Sequence, residues 1–555
     1  MARNFLRIVS LGGFGHVTKN MFVYETARDI IIVDCGVGFP EEEMLGVDLV
    51  IPDVSYLQDK KDKIRAIFLT HGHDDHIGAL PYLLPKLGER LPIFASRWAG
   101  ALVTDKLAEF GVTPNLEEVG EGKRVNVGDF SVEFVRVTHS IPDTLHLVIK
   151  TPVGLFYHAP DFKLDLRPVM GPPTNQELIR AIGSRGVACM LSDCLRAENP
   201  GFTPPEARLE EVFEEEIENC QGKFIVTTMS SNLSRLKQAI DVSIKHGRKV
   251  VLVGRSIDKN MSIATKLKYI NYSPETFVPK KIINRFKPSE LTLLVAGSQG
   301  QLGSAMDRLV SGEIEQIKIK PGDKVVFSTD YIPGNESAIY NLIDNIYRLG
   351  ADVAYSDVRS IIHVSGHGSQ GDLTKLMELV KPGYLVPIGG NFRHMVAYQK
   401  LAEKNGYRPN QVLLKDDGEI IEFNEKGLVP TKGRVQIGQI MVDALGVGDV
   451  GNVVLRDRKI LSEEGIVVTI LPINETTFKL EGEPEIVSRG FVYIRENLEL
   501  LEETRQGIHR ALKSLPQRAR IDHRLIRERV QDFLEKLFFA KTGRRPMVLV
   551  VIIEV

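Results

Sequence analysis

The N-terminal third of the chain alternates short apolar runs with polar turns. FLRIVSL, DIIIVDCG, AIFLTH, SVEFVRVTH and GLFYHAPD are rich in branched and aromatic residues over strand-like lengths, and helix-patterned stretches such as LPYLLPKL fall between them. That alternation predicts a layered α/β domain whose strands end in polar clusters. At Glu206 the charged amphipathic stretch EARLEEVFEEEIEN opens a second region, in which the strands KFIVTTM, KVVLVG, LTLLVAG and DKVVFST alternate with helices in βαβ fashion. Beyond IIHVSGHGSQ, the strand YLVPIGG and the helix MVAYQKLAEKN resume an α/β pattern, so the second region reads as an insertion into the first. The Gly-rich LGVGDVGN then precedes a last region that opens with GIVVTILPI and closes with MVLVVIIEV. The expected boundaries are 1–205 and 365–444 for a split first domain, 206–364 for its insert, 445–465 for a linker and 466–555 for a C-terminal domain.

Composition narrows the class. With 555 residues, 43% hydrophobic and 26% charged, the chain suits several globular cores and is too apolar for disorder. Lys and Arg number 70 against 72 Asp and Glu, so no global basic excess announces a nucleic-acid partner, and any such surface must be local. One local excess exists: Arg505, Arg510, Lys513, Arg518, Arg520, Arg524, Arg527 and Arg529 face only Asp522 and Glu528, a pattern read mainly as a solvated helical face. The apolar run Met547–Ile553 is far shorter than the roughly 20 residues of a membrane-spanning helix and reads as a buried strand. MARNFLRIVSLGGFG lacks the apolar stretch of a secretory signal, so the expected location is the cytoplasm, with no membrane partner. Cys35, Cys189, Cys194 and Cys220 form no CxxC pair, which argues against a disulfide framework or a thiolate zinc site.

The chemistry concentrates in one turn. Of 13 histidines, three fall within His71-Gly72-His73-Asp74-Asp75-His76, directly after the apolar strand AIFLT. Imidazole and carboxylate donors held at a strand end suit Zn²⁺ or Mn²⁺ better than Ca²⁺ or Mg²⁺. Donors so close together divide naturally between two ions, His71 and His73 on one and Asp75 and His76 on a second about 3.5–4 Å away, the spacing of two-metal hydrolases. Two more candidates stand at other strand ends, His139 after SVEFVRVT and Asp161 after GLFYHAP. His139 would complete the first site, and Asp161, with two carboxylate oxygens, would bridge both ions. Asp34, after DIIIV, is read as a group that orients a ligand histidine.

The order DCG, THGHDDHIGAL, VTHSIPD and Asp161-Phe162-Lys163 resembles the metallo-β-lactamase fold, and LSDCLRAENPGFTPPE, SGHGSQ and PIGGNFRHM are similar to the β-CASP nucleic-acid hydrolases within it. With GNVVLRDRKILSEEGIVV, SRGFVYIRE and KTGRRPM added, the chain looks like the bacterial ribonuclease J family from end to end. The resemblance implies an αββα sandwich with an inserted β-CASP α/β domain and a small α/β C-terminal domain. It implies a metal-dependent ribonuclease with 5′-to-3′ exonuclease and endonuclease action in rRNA maturation and mRNA processing and decay. Asp193 would be the first β-CASP acidic motif, orienting a ligand histidine, and His367 would protonate the leaving 3′ oxygen or hold the scissile phosphate. His363, Val364, Ser365, Gly366 and His367 would wrap an RNA phosphate, and Ser231 and Asn232 match a second turn that would hold a 5′-monophosphate. The partners so implied are RNA and further subunits, as a homodimer or homotetramer, or a hetero-oligomer with a paralogue or an RNA-degradation complex.

The chain also departs from the family pattern. A histidine that usually ligates the second metal in a PIHGE-like run is absent from Pro387-Ile388-Gly389-Gly390-Asn391, so Gly389 predicts a weakened second site. His394 and His16 are the candidates to compensate. The usual HTGD-like turn is His158-Ala159-Pro160-Asp161, and the usual GEIGKN-like loop is Gly15-His16-Val17-Thr18-Lys19-Asn20. Two other readings follow: a weakened paralogue acting as a structural and RNA-binding partner of an active homologue, and a small-molecule hydrolase such as a thioesterase. The last accounts for the HxHxDH turn equally well but leaves the insert without purpose.

Overall fold

Branched and aromatic runs pair into two stacked sheets. The computed structural model describes residues 4–332, 334–359, 361–444, 446–477, 479–491, 498–515 and 523–555. It contains two compact units, Met1–Gly38 with Ile51–Gln439, and Phe39–Val50 with Ile440–Val555.

In the larger unit, one sheet has eight strands in the order Gly427–Val429, Ile420–Asn424, Phe5–Gly12, Met21–Glu25, Ile30–Val33, Ile64–Phe68, Pro92–Ala95 and Asn115–Glu118. A second sheet has six, in the order Tyr384–Ile388, Val187–Asp193, Gly154–Ala159, Leu145–Thr151, Phe130–Arg136 and Arg124–Val127. Ile8, Phe22, Val33 and Phe68 of the first sheet share one buried core with Phe134, Leu147, Phe156 and Val386 of the second. Each such side chain contributes about 1.5–3 kcal/mol on burial, so the facing sheets are held chiefly by this layer. Helices cover the outer faces. Arg97–Ala108 packs along Pro92–Ala95 and Asn115–Glu118, while Gln176–Gly183, Gln370–Val380 and Phe392–Lys404 bury Ile179, Leu376 and Tyr398 against the second sheet. The result is an αββα sandwich.

Val187–Asp193 and Tyr384–Ile388 are parallel neighbours, with Met190 beside Leu385, although the chain between them builds a separate layer. That insert is a five-stranded, all-parallel sheet in the order Lys249–Val253, Leu291–Val295, Phe224–Thr227, Lys324–Phe327 and Asp352–Ala354. Its strands are nearly continuous apolar runs because helices bury both faces, one core holding Val226, Leu236 and Ile257 and the other Ile225, Leu293 and Ile343.

The smaller unit centres on Ile466–Ile473, antiparallel to Glu485–Arg489 and parallel to Met547–Glu554, with Ile470 beside Val551. Its helices Leu498–Lys513 and His523–Thr542 cover one sheet face through Ile508, Val530, Leu534 and Phe538. Residues 445–465, read as a linker, contain the two-residue strand Gly446–Val447 and the helix Asn452–Glu463, because helix formers follow the glycines. In the basic stretch, Arg518, Arg520 and Asp522 lie outside the described residues. Arg510, Lys513 and Arg527 are exposed, Arg524 lies 2.8 Å from Glu528, and Arg529 bonds Ser514 Oγ at 3.0 Å. Among the described residues no helix is long and apolar enough to cross a membrane.

Candidate metal centre

The donors stand where strands of the two facing sheets end. The strand Ile64–Phe68 delivers the turn 71–76, Phe130–Arg136 leads to His139, Gly154–Ala159 to Asp161, and Val187–Asp193 ends on Asp193 itself. His73 begins the short helix Asp74–Ile77, which turns Asp75 and His76 back toward the other sheet.

His71, His73, His139 and Asp161 form one group of converging ligand atoms, and Asp75, His76 and Asp161 form a second. In the first, His73 Nδ1 lies 3.1 Å from His71 Nε2 and 3.2 Å from His139 Nε2, while Asp161 Oδ2 lies 3.6 Å from both His71 Nε2 and His139 Nε2. In the second, His76 Nε2 lies 3.5 Å from Asp161 Oδ1 and 3.6 Å from Asp75 Oδ2. Asp161 therefore offers one oxygen to each group.

Hydrogen bonds to the outward ring atoms decide which nitrogens face inward. Asp34 Oδ2 accepts from His76 Nδ1 at 2.7 Å and from Thr70 Oγ1 at 2.8 Å, and the Thr70 oxygen in turn lies 3.1 Å from His71 Nδ1. His139 Nδ1 donates to Gly366 O at 2.8 Å. Each of these bonds uses the ring N–H, so the lone pairs of His71 Nε2 and His139 Nε2 point into the first group, and His76 Nε2 points into the second, where a metal would take the place of its proton. Burial holds His71 and His139 well below the usual histidine range and His73 down to about 4, so all three are neutral near pH 7. Three converging neutral lone pairs repel one another unless a cation lies between them, and tetrahedral zinc bound at about 2.0–2.1 Å sets its nitrogens about 3.3 Å apart. The donors thus fit a divalent metal. His76 differs: against burial, the carboxylates of Asp161, Asp75 and Asp34 raise it well above the usual range.

A third group joins Asp161 to Asp193 and His367. Asp193 Oδ2 lies 2.8 Å from His367 Nδ1, and His367 Nε2 lies 3.8 Å from Asp161 Oδ2. Against burial, Asp193 and Asp161 push His367 up to about 9. Asp193 thus holds His367 rather than any ring of the first two groups, which differs from the expectation that it orients a ligand histidine. The turn 363–367 also approaches the centre through its backbone. A Cβ on Gly366 would stand 2.8 Å from the His139 ring, so only glycine lets the chain pass there.

Gly389 has φ +66°, and a Cβ there would sit 3.8 Å from Asp161 Oδ1 and 3.9 Å from Asp193 Oδ1, so this position faces the site without a donor. Neither candidate substitute joins the groups. His394 Nδ1 accepts from Asn391 N at 3.1 Å as part of a helix cap, and its Nε2 lies 3.6 Å from Glu198. His16 lines a separate cavity of about 680 Å³ with Lys19, Asp417 and Arg434. Asn232 caps the helix Leu233–Lys245 in the insert, Ser231 precedes it, and neither belongs to a donor group. Three more side chains contribute: Thr70, Asn20, whose Nδ2 lies 3.1 Å from His76 Nε2, and Ser140, whose Oγ lies 3.4 Å from His73 Nε2. All three lie in segments the sequence had singled out, Thr70 in THGHDDHIGAL, Ser140 in VTHSIPD and Asn20 in the loop 15–20, but none was read as part of the site.

An αββα sandwich carrying paired histidine and carboxylate groups at its strand ends defines a metallo-β-lactamase-fold hydrolase, here with an inserted α/β domain. Residues 15–144 match the metallo-β-lactamase superfamily, 221–346 the ribonuclease J β-CASP domain, 350–413 the Zn-dependent metallo-hydrolase RNA specificity domain and 453–555 the ribonuclease J C-terminal domain. The chain is 36% identical over 552 residues to ribonuclease J2 of Bacillus subtilis, covering 99% of each chain. It is 34% identical over 548 residues to ribonuclease J 1 of Streptococcus pyogenes, covering 98% of this chain and 97% of that one. A solved protein of unknown function from Enterococcus faecalis shares the fold, with a TM-score of 0.55 and 17% identity over 76% of this chain and all of that one. The chain belongs to the ribonuclease J family.

Proposed function

We propose that the protein hydrolyses RNA phosphodiester bonds, acting as a 5′-to-3′ exonuclease and as an endonuclease in rRNA maturation and in mRNA processing and decay. The observation that carries this reading is the position of Asp161, which stands in each of the three groups at the strand ends and so brings two metal sites within reach of His367. Two divalent ions, Zn²⁺ or Mn²⁺, would supply an acidified water and positive charge against the developing oxyanion. His71, His73 and His139 with Asp161 would hold one ion, and Asp75 and His76 with Asp161 would hold the other. His367, kept protonated by Asp193 and Asp161, donates a proton to the leaving 3′ oxygen or a hydrogen bond to the phosphate. His363 to His367 wrap the scissile phosphate, and Ser231 with Asn232 hold the 5′-monophosphate. In this reading residues 1–205 and 365–444 make the metal-binding domain, 206–364 the β-CASP domain and 466–555 a C-terminal domain that supports a homodimer or homotetramer in the cytoplasm. Leu549 and Ile553, about half exposed along the edge strand Met547–Glu554, and Val555 just beyond it support the assembly.

The test is purified protein with 5′-labelled monophosphorylated RNA and Zn²⁺ or Mn²⁺. Mononucleotide release that His73→Ala abolishes is expected, and an inactive wild type containing two ions per chain would refute the reading. A second reading, a weakened paralogue that mainly binds RNA beside an active homologue, is favoured by one observation, the missing donor at Gly389. Absence of bound metal together with RNA affinity would support it.

A further inference from the structure

Arg235 is 1% exposed although it carries a charge, and it lies on the helix Leu233–Lys245. It occupies the first turn of Leu233–Lys245, and its backbone N–H donates to Asn232 Oδ1 at 3.1 Å. Its guanidinium then crosses to a different part of the insert. Nη1 donates to Ser328 O at 3.0 Å and to His363 Nδ1 at 2.8 Å, and Nη2 donates to Val364 O at 2.7 Å. On its other side, Nε and Nη2 donate to Glu206 Oε1 at 3.1 and 2.9 Å.

Glu206 continues the path to the metal-binding sheets. Its second oxygen accepts from Lys163 Nζ at 3.1 Å, and its backbone N–H donates to Asp165 Oδ2 at 2.8 Å. Lys163 follows Asp161 by two residues, and its own N–H donates to Thr138 O at 2.8 Å, next to His139. A closed circuit therefore runs from Asp161 through Lys163, Glu206 and Arg235 to Val364, and from Gly366 back to His139. Buried ion pairs add little net stability over an apolar replacement, and their best-attested use is to fix register. A planar guanidinium with five N–H donors can serve five acceptors at once, and neither lysine nor an apolar residue can.

We propose that Arg235 is a positioning residue that sets the two phosphate turns, 231–232 and 363–367, in register with the metal ligands. The inference rests on the RNA-hydrolysis reading for what those turns hold. Guanidinium has no acceptor, so the His363 Nδ1 it touches carries no proton and the ring N–H is at Nε2. His363, with 16% of its side chain exposed and Nε2 3.4 Å from Asp330 Oδ2, thus offers a fixed neutral donor at the insert's surface. Burial first, and then Arg235, hold it well below the usual histidine range.

Two measurements test this. In the wild type, histidine-selective ¹⁵N spectra, assigned by subtraction of His363→Gln, are expected to find the Nε2–H tautomer at position 363, and an Nδ1–H tautomer overturns the proposal. In Arg235→Lys, and in the charge-neutral pair Glu206→Gln with Arg235→Gln, metal content and kcat are expected to stay near wild type while KM for monophosphorylated RNA rises tenfold or more. A KM within twofold of wild type overturns the proposal, as does a loss of metal and kcat in step with KM, which marks a merely structural part. A wild type that neither binds nor cleaves RNA defeats the functional reading alone and leaves the tautomer measurement standing.

Discussion

The His139 ring is fixed by a single backbone atom, Gly366 O, which accepts from Nδ1 at 2.8 Å. A candidate ligand in one half of the metal-binding sandwich is thereby oriented by the chain as it returns from the insert. In Gly366→Ala the new Cβ would meet His139 Cε1 at 2.8 Å and Ser140 Cβ at 2.9 Å, so the ring must turn. Metal affinity at the first site is expected to fall about 10–100-fold, the usual cost of losing such an outer contact. Competition with a chromophoric chelator measures it, and an unchanged affinity would show that the ring has room to spare.

Asp34 reaches the second site through His76 and the first through Thr70 and His71. Asp34→Asn keeps the shape but replaces one acceptor oxygen with a donor facing either His76 Nδ1 or Thr70. Occupancy of the second site is expected to drop at least tenfold in equilibrium dialysis, with a smaller loss at the first. Equal losses at both sites would mean that the Thr70 branch matters as much as the direct one.

Gly389→His adds the missing donor at a position whose φ of +66° costs an L-residue about 1–2 kcal/mol. The metal-free variant is expected to be less stable than wild type by about that amount, while retaining its second ion longer under chelation. If second-ion retention is unchanged, the glycine is not what limits that site.

Burial holds His146 and His158 down to about 3, against about 6.5 in an unfolded chain. Below pH 6.5 the unfolded chain binds protons that the folded one refuses, so this contribution to stability is complete above about 6.5 and is lost as pH falls toward 3. Each ring accounts for about 1.4 kcal/mol per pH unit in that window. Urea titrations of metal-free His158→Phe between pH 6 and 4 are expected to give a slope shallower by that amount. An unaltered slope rejects the assignment.

The edge strand Met547–Glu554 exposes Leu549 and Ile553 at 50% and 48%. Replacing both with glutamate is expected to halve the mass seen by light scattering, while circular dichroism stays unchanged. A wild type that is already monomeric removes the proposed assembly.

The site was legible where its chemistry is local or ends a strand. His71 to His76 declare themselves by spacing, and His139 and Asp161 by following apolar runs. Lys163, Glu206 and Arg235 did not, since a lone charged side chain reads as solvated, and only tertiary packing buries Glu206 to 3%. The strand Met21–Glu25, MFVYE, was also missed, although it is buried at every position. The insertion was readable because an α/β pattern resumes at YLVPIGG and MVAYQKLAEKN after the βαβ run KFIVTTM to DKVVFST. The pairing of Val187–Asp193 with Tyr384–Ile388 was not, because nothing in either strand names its neighbour.

That pairing bears on how the protein is made. Phe5–Gly12 leaves the ribosome early but pairs on one edge with Ile420–Asn424, and Val187–Asp193 waits for Tyr384–Ile388. Contacts so distant in sequence close late. A nascent chain carries His71 to His76 long before it has His367 or the strand that lies beside Asp193. The metal-binding sandwich therefore stays open on two edges until the chain has grown past Ile420–Asn424.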